Sequence, residues 1–216
     1  MSRSTDGGGE TRQVVLASRN AKKVAEMQRI LREHAPDLEV VGLDDVAAYD
    51  EPVEDQPTFA GNALLKAHAG HAATGLPTLA DDSGLCVDAL NGMPGVLSAR
   101  WSGRAKDDAA NNALLLAQLH DVPEVRRGAH FACAVAFVHG DGELVVEGRM
   151  DGTVIREVRG EGGFGYDGLF VADEHSEPER TSAELEPAEK DRLSHRGRAL
   201  REMAPLVAAA LADEPA

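Results

Sequence analysis

Residues 78–87 read Thr78-Leu79-Ala80-Asp81-Asp82-Ser83-Gly84-Leu85-Cys86-Val87. Two adjacent carboxylates and a hydroxyl interrupt an apolar run, and a glycine follows at once. Burying neighbouring acids is costly unless a cation or hydrogen bonds neutralise them. Acids at the end of a strand are well placed to hold a divalent metal. The competing reading is a solvated turn, because Asp, Ser and Gly are ordinary turn formers. The flanking segments weigh on that choice.

Upstream, Val14 to Ala17 is a buried-strand pattern, broken by Ser18-Arg19-Asn20. Val24, Met27, Ile30 and Leu31 then give a helix one apolar face, and Pro36 ends it. Leu38 to Leu43 is a second strand, and the acidic stretch Asp44 to Pro57 a loop. Thr58 caps a helix that runs to about Gly75, with Pro77 just beyond. Thr78 to Ala80 leads as a strand into the acids.

Downstream, Asn91 to Gly95 is a turn, and Asp107 or Asp108 starts a helix through Leu119. Phe131–Val138 and Glu143–Glu147 flank Gly140-Asp141-Gly142, a hairpin signal. Thr153–Val158 and Leu169–Val171 are further strands. A last helix starts near Ser194 with an apolar stripe at Leu200, Met203, Leu206, Val207 and Leu211, and Pro205 is a place for a kink. The pattern predicts an α/β fold: an elongated mixed β-sheet flanked by helices, with two lobes around a central cleft. Residues 13–212 are expected to form a single domain, after a disordered tail at 1–12.

The chain has 216 residues, of which 43% are hydrophobic and 4% aromatic, so its core is aliphatic and alanine-rich. No apolar run approaches the ~18 residues that span a bilayer, and the polar start MSRSTDGGGETRQ lacks the apolar segment of a signal peptide. Cys86 and Cys133 lie far apart in apolar runs and read as buried thiols. These features fit a cytoplasmic location without a membrane partner. The formal net charge of −15 argues against general nucleic-acid binding, which needs a basic face. A polyanionic substrate would need a metal and a few placed cations.

Four further constellations carry chemistry. Ser18-Arg19-Asn20-Ala21-Lys22-Lys23 joins a strand to a helix, and a helix N-terminus suits phosphate. An ordinary cap with surface lysines is the alternative. Asn62 and Lys66 share a helical face, so Lys66 either reaches into a cleft or snorkels to solvent. Glu54, in the loop before, is a candidate for a further metal carboxylate, with Glu51 and Asp55 as rivals.

Gly160 to Gly165 matches GxGxxG, but a strand-like segment follows where a dinucleotide site needs a helix. With Phe164, Tyr166 and Asp167 the loop instead suits a stacked ligand ring, or a tight turn with its aromatics in the core. Glu189 to Arg198 is dense in basic residues. Within it Lys190, His195 and Arg196 can donate to a base carbonyl or to phosphate, or form a solvated charge run. There is no GxxxxGK[ST], HExxH or CxxC pair, and His68 and His71 read as surface histidines.

Taken in order, SRNAKK, TFAGNALLKA, LADDSGLCVDALNGMPGVLSARW, GGFGYDGLF and EKDRLSHRGRAL resemble the motifs of the Ham1/RdgB-like inosine triphosphate pyrophosphatase family, over about residues 13–212. The resemblance implies a homodimer that hydrolyses ITP, dITP and XTP to the monophosphate and pyrophosphate with Mg²⁺. It implies Asp82 as the catalytic base, and Asp82, Asp81 and Glu54 as metal residues. It implies Ser18, Arg19, Asn20, Ala21, Lys22, Lys23, Lys66 and Ser83 around the triphosphate. Phe164, Gly165, Tyr166, Asp167 and Lys190 would line the base pocket, with His195 and Arg196 on the 6-oxo edge. Gly61 stands where many relatives have Glu, which shifts weight onto the three remaining acids.

The implied reaction needs little covalent catalysis. Water attacks the α-phosphorus, pyrophosphate leaves, and the protein positions groups and neutralises charge. Activity is expected to rise toward alkaline pH as hydroxide becomes available. A donor placed for a 6-oxo group meets another donor in adenine, which explains rejection of ATP. It does not explain rejection of GTP.

Overall fold

The computed structural model describes residues 12–103, 107–140, 142–175 and 178–212, with residue 187 described by its backbone alone. The expected tail at 1–12 falls outside them except for its last residue, and so does Asp141 of the hairpin turn. Six strands form one sheet: β1 (Arg12–Leu16), β2 (Leu38–Val41), β3 (Thr78–Val87), β4 (Gly128–His139), β5 (Gly142–Val154) and β6 (Phe170–Ala172). Their order is β2-β1-β3-β4-β5-β6. β1 is parallel to β2 and β3, and the pairs from β3 to β6 are antiparallel.

Helix α1 (Ala21–Leu31) follows β1, and α2 (Phe59–Thr74) precedes β3. They cover opposite faces of the sheet. Val24, Met27, Ile30 and Leu31 of α1 pack with Leu79, Val135 and Phe137, together with α5 (His195–Ala212). Ala63 and Ala67 of α2 pack on Ala80, Ala134 and Ala136. Strand order thus reverses between β1 and β3, where open α/β sheets leave a ligand crevice beyond the carboxyl ends of strands. The segment 17–23 leaves β1 at that point.

On the α1/α5 face the apolar surface splits in two. Leu79 belongs to one cluster; Leu85 and Val87 belong to a second, with Phe131, Met150, Tyr166, Phe170 and Leu115 of α3 (Asp108–Gln118). Asp81 and Ser83 fall in the gap between them. The expected lobes are these two clusters, and the cleft is the polar break between.

Several expectations need correction. The two acids do not end a strand: β3 continues through them, pairing Asp81 with Val135 and Asp82 with Ala134. Thr153–Val158 is not a separate strand, because Thr153 and Val154 close β5. The chain then turns away because Arg127, fully buried, donates to the carbonyls of Leu119 (2.7 Å), Val154 (2.7 Å) and Ile155 (2.9 Å). A short helix not anticipated, α4 (Pro187–Leu193), precedes α5, which runs unbroken through Pro205. Cys86 and Cys133 are free thiols, and burial pushes that of Cys133 up to about 12.

Candidate active site

Alternation along β3 places Asp81 and Asp82 on opposite faces of the sheet. Their surroundings differ accordingly. Asp81 is 6% exposed and faces α1 and α5. Lys23 Nζ donates to its Oδ1 (2.9 Å) and Oδ2 (2.8 Å), and Arg196 Nε donates to Oδ2 (3.1 Å). Burial opposes the charge of Asp81, but Lys23, Arg196 and Lys66 outweigh it and hold the carboxyl well below the usual range. The Arg196 guanidinium, opposed by burial, is raised by Asp81. Arg196 Nη2 also donates to Ser83 Oγ (3.3 Å).

Asp82 faces α2. Asn62 Nδ2 donates to its Oδ2 (2.9 Å) and the Ser83 amide to Oδ1 (3.0 Å). Lys66 Nζ is 3.9 Å from Oδ1. Burial pushes the Asp82 carboxyl up against the opposing effects of Lys66 and Asn62. Lys66 Nζ donates instead to Glu54 Oε1 (2.7 Å) and to the Asp81 carbonyl (2.6 Å), so it lies in the crevice and does not snorkel outward. The expected metal trio is therefore divided. Glu54 and Asp82 sit on either side of Lys66, while Asp81 points through the sheet, with both oxygens committed to cations.

Local sequence explains these placements. Thr58 caps α2 by accepting from the Gly61 amide (3.0 Å), a bond worth ~1 kcal/mol, and this phases Asn62 and Lys66 onto the β3 side. Asn62, fully buried, also accepts from the Gln56 amide (3.0 Å), tying down the loop that carries Glu54. A Cβ at Gly61 would lie 2.9 Å from Gln56 Cβ, so glycine here permits the close approach of that loop. Ser194 ends α4 and caps α5, accepting from the Gly197 amide (3.0 Å). Gly148 on β5 lets α5 approach: a Cβ there would sit 2.0 Å from the His195 carbonyl.

At the β1–α1 junction Asn20 caps α1 through the Lys22 amide (3.0 Å), Ser18 Oγ accepts from the Asn20 amide (3.2 Å), and Ala21 opens the helix. Lys22 is exposed. Arg19 points away, bonded to Asp44 (2.6 Å) and Glu51 (2.9 Å). Across the cleft the glycine-rich loop divides its aromatics. Phe164 is 63% exposed, with Lys190 Nζ 5.1 Å and Arg196 Cζ 5.9 Å from its ring centre.

Tyr166 is buried and donates to the Ser98 carbonyl (3.0 Å), so it supports the loop from the core instead of lining the pocket. Asp167 accepts from Lys190 Nζ and from the Phe164 amide (2.7 Å). His195 stacks on Phe131 at 4.9 Å, its Nδ1 buried without a hydrogen-bond partner. Burial pushes its pKa down to about 3, so the ring is neutral. His68 is exposed and bonded to Glu143 (2.8 Å), and His71 contacts the Leu76 carbonyl (2.7 Å).

Arg100, not anticipated, donates to the Glu54 carbonyl (2.9 Å). Nothing in its local sequence marks it, since only the tertiary fold brings residue 100 to residue 54.

A crevice at the strand-order reversal, with cations on both sides and one acid hydrogen-bonded only to amides, defines the class: an α/β protein built to receive a polyanion. Within that class the chain belongs to the Ham1 family, whose profile matches residues 14–206. A dITP/XTP pyrophosphatase of Nocardia farcinica is 62% identical over 202 residues, 93% of this chain and 96% of the relative. The dITP/XTP pyrophosphatase of Mycolicibacterium paratuberculosis is 58% identical over 193 residues, 89% of this chain and 94% of the relative. Among solved structures, the nucleoside-triphosphatase / dITP/XTP pyrophosphatase of Mycobacterium abscessus superposes with a TM-score of 0.75 at 55% identity, covering 89% of this chain and 99% of that one. A HAM1 protein from Coxiella burnetii gives 0.83 at 38% identity, covering 92% and 99%.

Proposed function

We propose that this protein hydrolyses dITP, ITP and XTP to the nucleoside monophosphate and pyrophosphate, and so clears non-canonical purines from the nucleotide pool. The observation that carries the reading is Asp82. It is the acid of the pair with no cation within hydrogen-bond distance, Lys66 Nζ standing 3.9 Å off, and burial pushes its pKa up, the direction a general base needs. In this reading Asp82 takes the proton of the water that attacks the α-phosphorus, and the bond to the leaving pyrophosphate oxygen breaks. Lys66 and Lys23 flank the triphosphate, the N-terminus of α1 with Ser18 and Asn20 adds amide donors, and Ser83 lies between the two sides.

The donor set suits Mg²⁺. It is commonly bound by one or two carboxylates, with phosphates and water completing the shell. Among the described residues no cluster of three or more His, Cys, Asp or Glu could hold a metal by itself. Asp82, bonded only to amides, and Glu54 across Lys66 would hold it; Asp81 would serve as counter-ion to Lys23 and Arg196. When bound, the ion would neutralise phosphate charge.

Phe164 offers its open face to the base, with Asp167 and Lys190 at its edge. His195 and Arg196 stand toward the 6-oxo group. Neutral His195 fits recognition of an uncharged purine edge. A homodimer, which rests on the family resemblance, and a cytoplasmic location, which fits the two free cysteines, belong to the same reading; sedimentation at micromolar concentration checks the first.

The test is pyrophosphate release from ITP, dITP, XTP, GTP, ATP and dTTP, with Mg²⁺ and with EDTA, at mildly alkaline pH. Metal-dependent turnover of dITP, ITP and XTP with little of ATP or GTP is expected. Equal turnover of all purines, or preference for dTTP, removes the specificity; binding of ITP without turnover marks a sensor instead. A rate that stays flat or falls from neutral to alkaline pH at saturating metal counts against the expected profile.

A further inference from the structure

We propose that Asp108 and Asn112 are positioning residues for base recognition: from one face of α3 they clamp the Gly165 peptide and fix the Phe164 ring as a preorganised platform. The proposal rests on the reading that Phe164 stacks the base. Asp108 and Asn112 are four apart and share a helical face. Asp108 Oδ2 accepts from the Gly165 amide (2.7 Å), and Asn112 Nδ2 donates to the Gly165 carbonyl (3.0 Å). One turn of helix therefore holds both polar groups of a single residue.

The loop needs that hold. Gly163 (φ +75°) and Gly165 (φ +61°) both adopt left-handed backbone, and a glycine-rich turn is entropically costly to fix. Packing does not fix Phe164, because 63% of it is exposed. Hydrogen bonds do. The Phe164 amide donates to Asp167 Oδ2 (2.7 Å) and its carbonyl accepts from the Asp167 amide (3.2 Å). With the two bonds from α3, every backbone polar group of Phe164 and Gly165 is paired.

The helix itself is rigidly seated. Leu115 and Leu119 at its end are fully buried, and Asn111 Oδ1 accepts from the Ser102 amide (2.8 Å). Asn112 is 9% exposed and its Oδ1 is buried without a partner. A half-satisfied buried amide is a cost to the fold, and among the described residues the bond to Gly165 is the one compensation its side chain shows. Because Lys190 is tied to Asp167 beside the same ring, rotation of the loop would also break the cation–π contact.

The experiment has a structural arm and a kinetic arm. Amide hydrogen exchange on the ligand-free protein reads the clamp directly: Asp108→Ala and Asn112→Ala should each speed exchange at Gly165. In kinetics, the double variant should raise KM for dITP about five- to tenfold, a fraction of the stacking of one base on an aromatic ring, with kcat within about twofold. Inhibition by inorganic pyrophosphate, which has no base, should keep its constant. In a Phe164→Ala background the clamp substitutions should add nothing further to KM, as a double-mutant cycle requires of residues that act through one ring.

Unchanged exchange, unchanged KM, an equal loss of pyrophosphate affinity, or additivity with Phe164→Ala each overturns the proposal. Should Asn112→Ala fail to fold, exposed Asp108 carries the test alone. Wild-type protein without dITP turnover, whose Gly165 exchange still responds to Asp108→Ala, would sink the substrate reading and with it the base-recognition role.

Discussion

Replacing Asp81 by Asn keeps the shape of the side chain and removes its charge. Lys23 and Arg196 would then face each other across a neutral amide in the gap between the two apolar clusters. Breaking a buried ion pair by removing one partner costs about 3–5 kcal/mol. Asn still accepts a hydrogen bond, and the Lys23 side chain is 24% exposed and can turn toward water, so the lower end applies, about 3 kcal/mol. For a chain of 216 residues each kcal/mol moves Tm by about 2–4 °C, which predicts a loss of about 6–12 °C at neutral pH.

The pH dependence follows from sign. The folded pKa of Asp81 is depressed relative to about 3.9 in the unfolded chain. Its stabilisation is therefore complete above about pH 5 and declines below about pH 4, by up to ~1.4 kcal/mol per unit. Urea denaturation of both proteins through that range measures the gap, which should narrow as pH falls. Inorganic pyrophosphate should raise Tm more for the variant than for wild type, since it resupplies negative charge to the two cations. A Tm loss below about 2 °C at neutral pH, or a gap that ignores pH, would refute the assignment of Asp81 as counter-ion.

Asp82→Asn should lower kcat by about 10²–10⁴, the usual worth of a general base, while calorimetry still detects triphosphate binding; a near-normal rate removes Asp82 as the base. Gly84→Ala should destabilise by about 1–3 kcal/mol, because its Cβ would lie 2.3 Å from Ser98 Oγ and 2.5 Å from the Gly95 carbonyl; an unchanged melting curve would mean that residues 95–100 can swing aside. Arg127→Met should cost about 2–4 kcal/mol by removing its buried bonds to the carbonyls of Val154, Ile155 and Leu119, of which Leu119 keeps only the Val122 amide, read by urea denaturation. His195 has its pKa pushed from 6.5 down to about 3 by burial, so the unfolded chain takes up a proton that the folded ring refuses. Stability should therefore fall from about pH 6.5 toward pH 3, and the ring's NMR signals should show no imidazolium at pH 5; titration above that point contradicts its burial.

Much of the fold was legible because local rules and burial agree. The stripe Val24-Met27-Ile30-Leu31, the Thr58 and Ser194 caps and the hairpin pattern need no distant partner to be recognised. Thr153–Val158 does not read correctly as a separate strand because the tie that closes β5, Arg127 donating to the carbonyls of Val154 and Ile155, comes from far upstream. Helix α4 was missed because its sequence, Pro187 to Leu193, is too polar and too short to show a period. In the sequence Asp108 shows only as a candidate helix start and Asn112 carries no signal, since their partner, Gly165, is fifty-odd residues away.

The sequence by itself determined the kinds of groups at the crevice: the ordered motifs, the two acids, the lysines and the aromatics of the glycine-rich loop. Local chemistry is written in residue type and spacing. Tertiary structure alone decided how the acids divide their work. Once β3 runs straight through them, its two-residue period sends Asp81 to Lys23 and Arg196 on one face and Asp82 to Asn62 on the other. Whether a strand continues through adjacent carboxylates depends on the cations and amides waiting on each side, and these come from helices α1, α2 and α5, which no local pattern brings together.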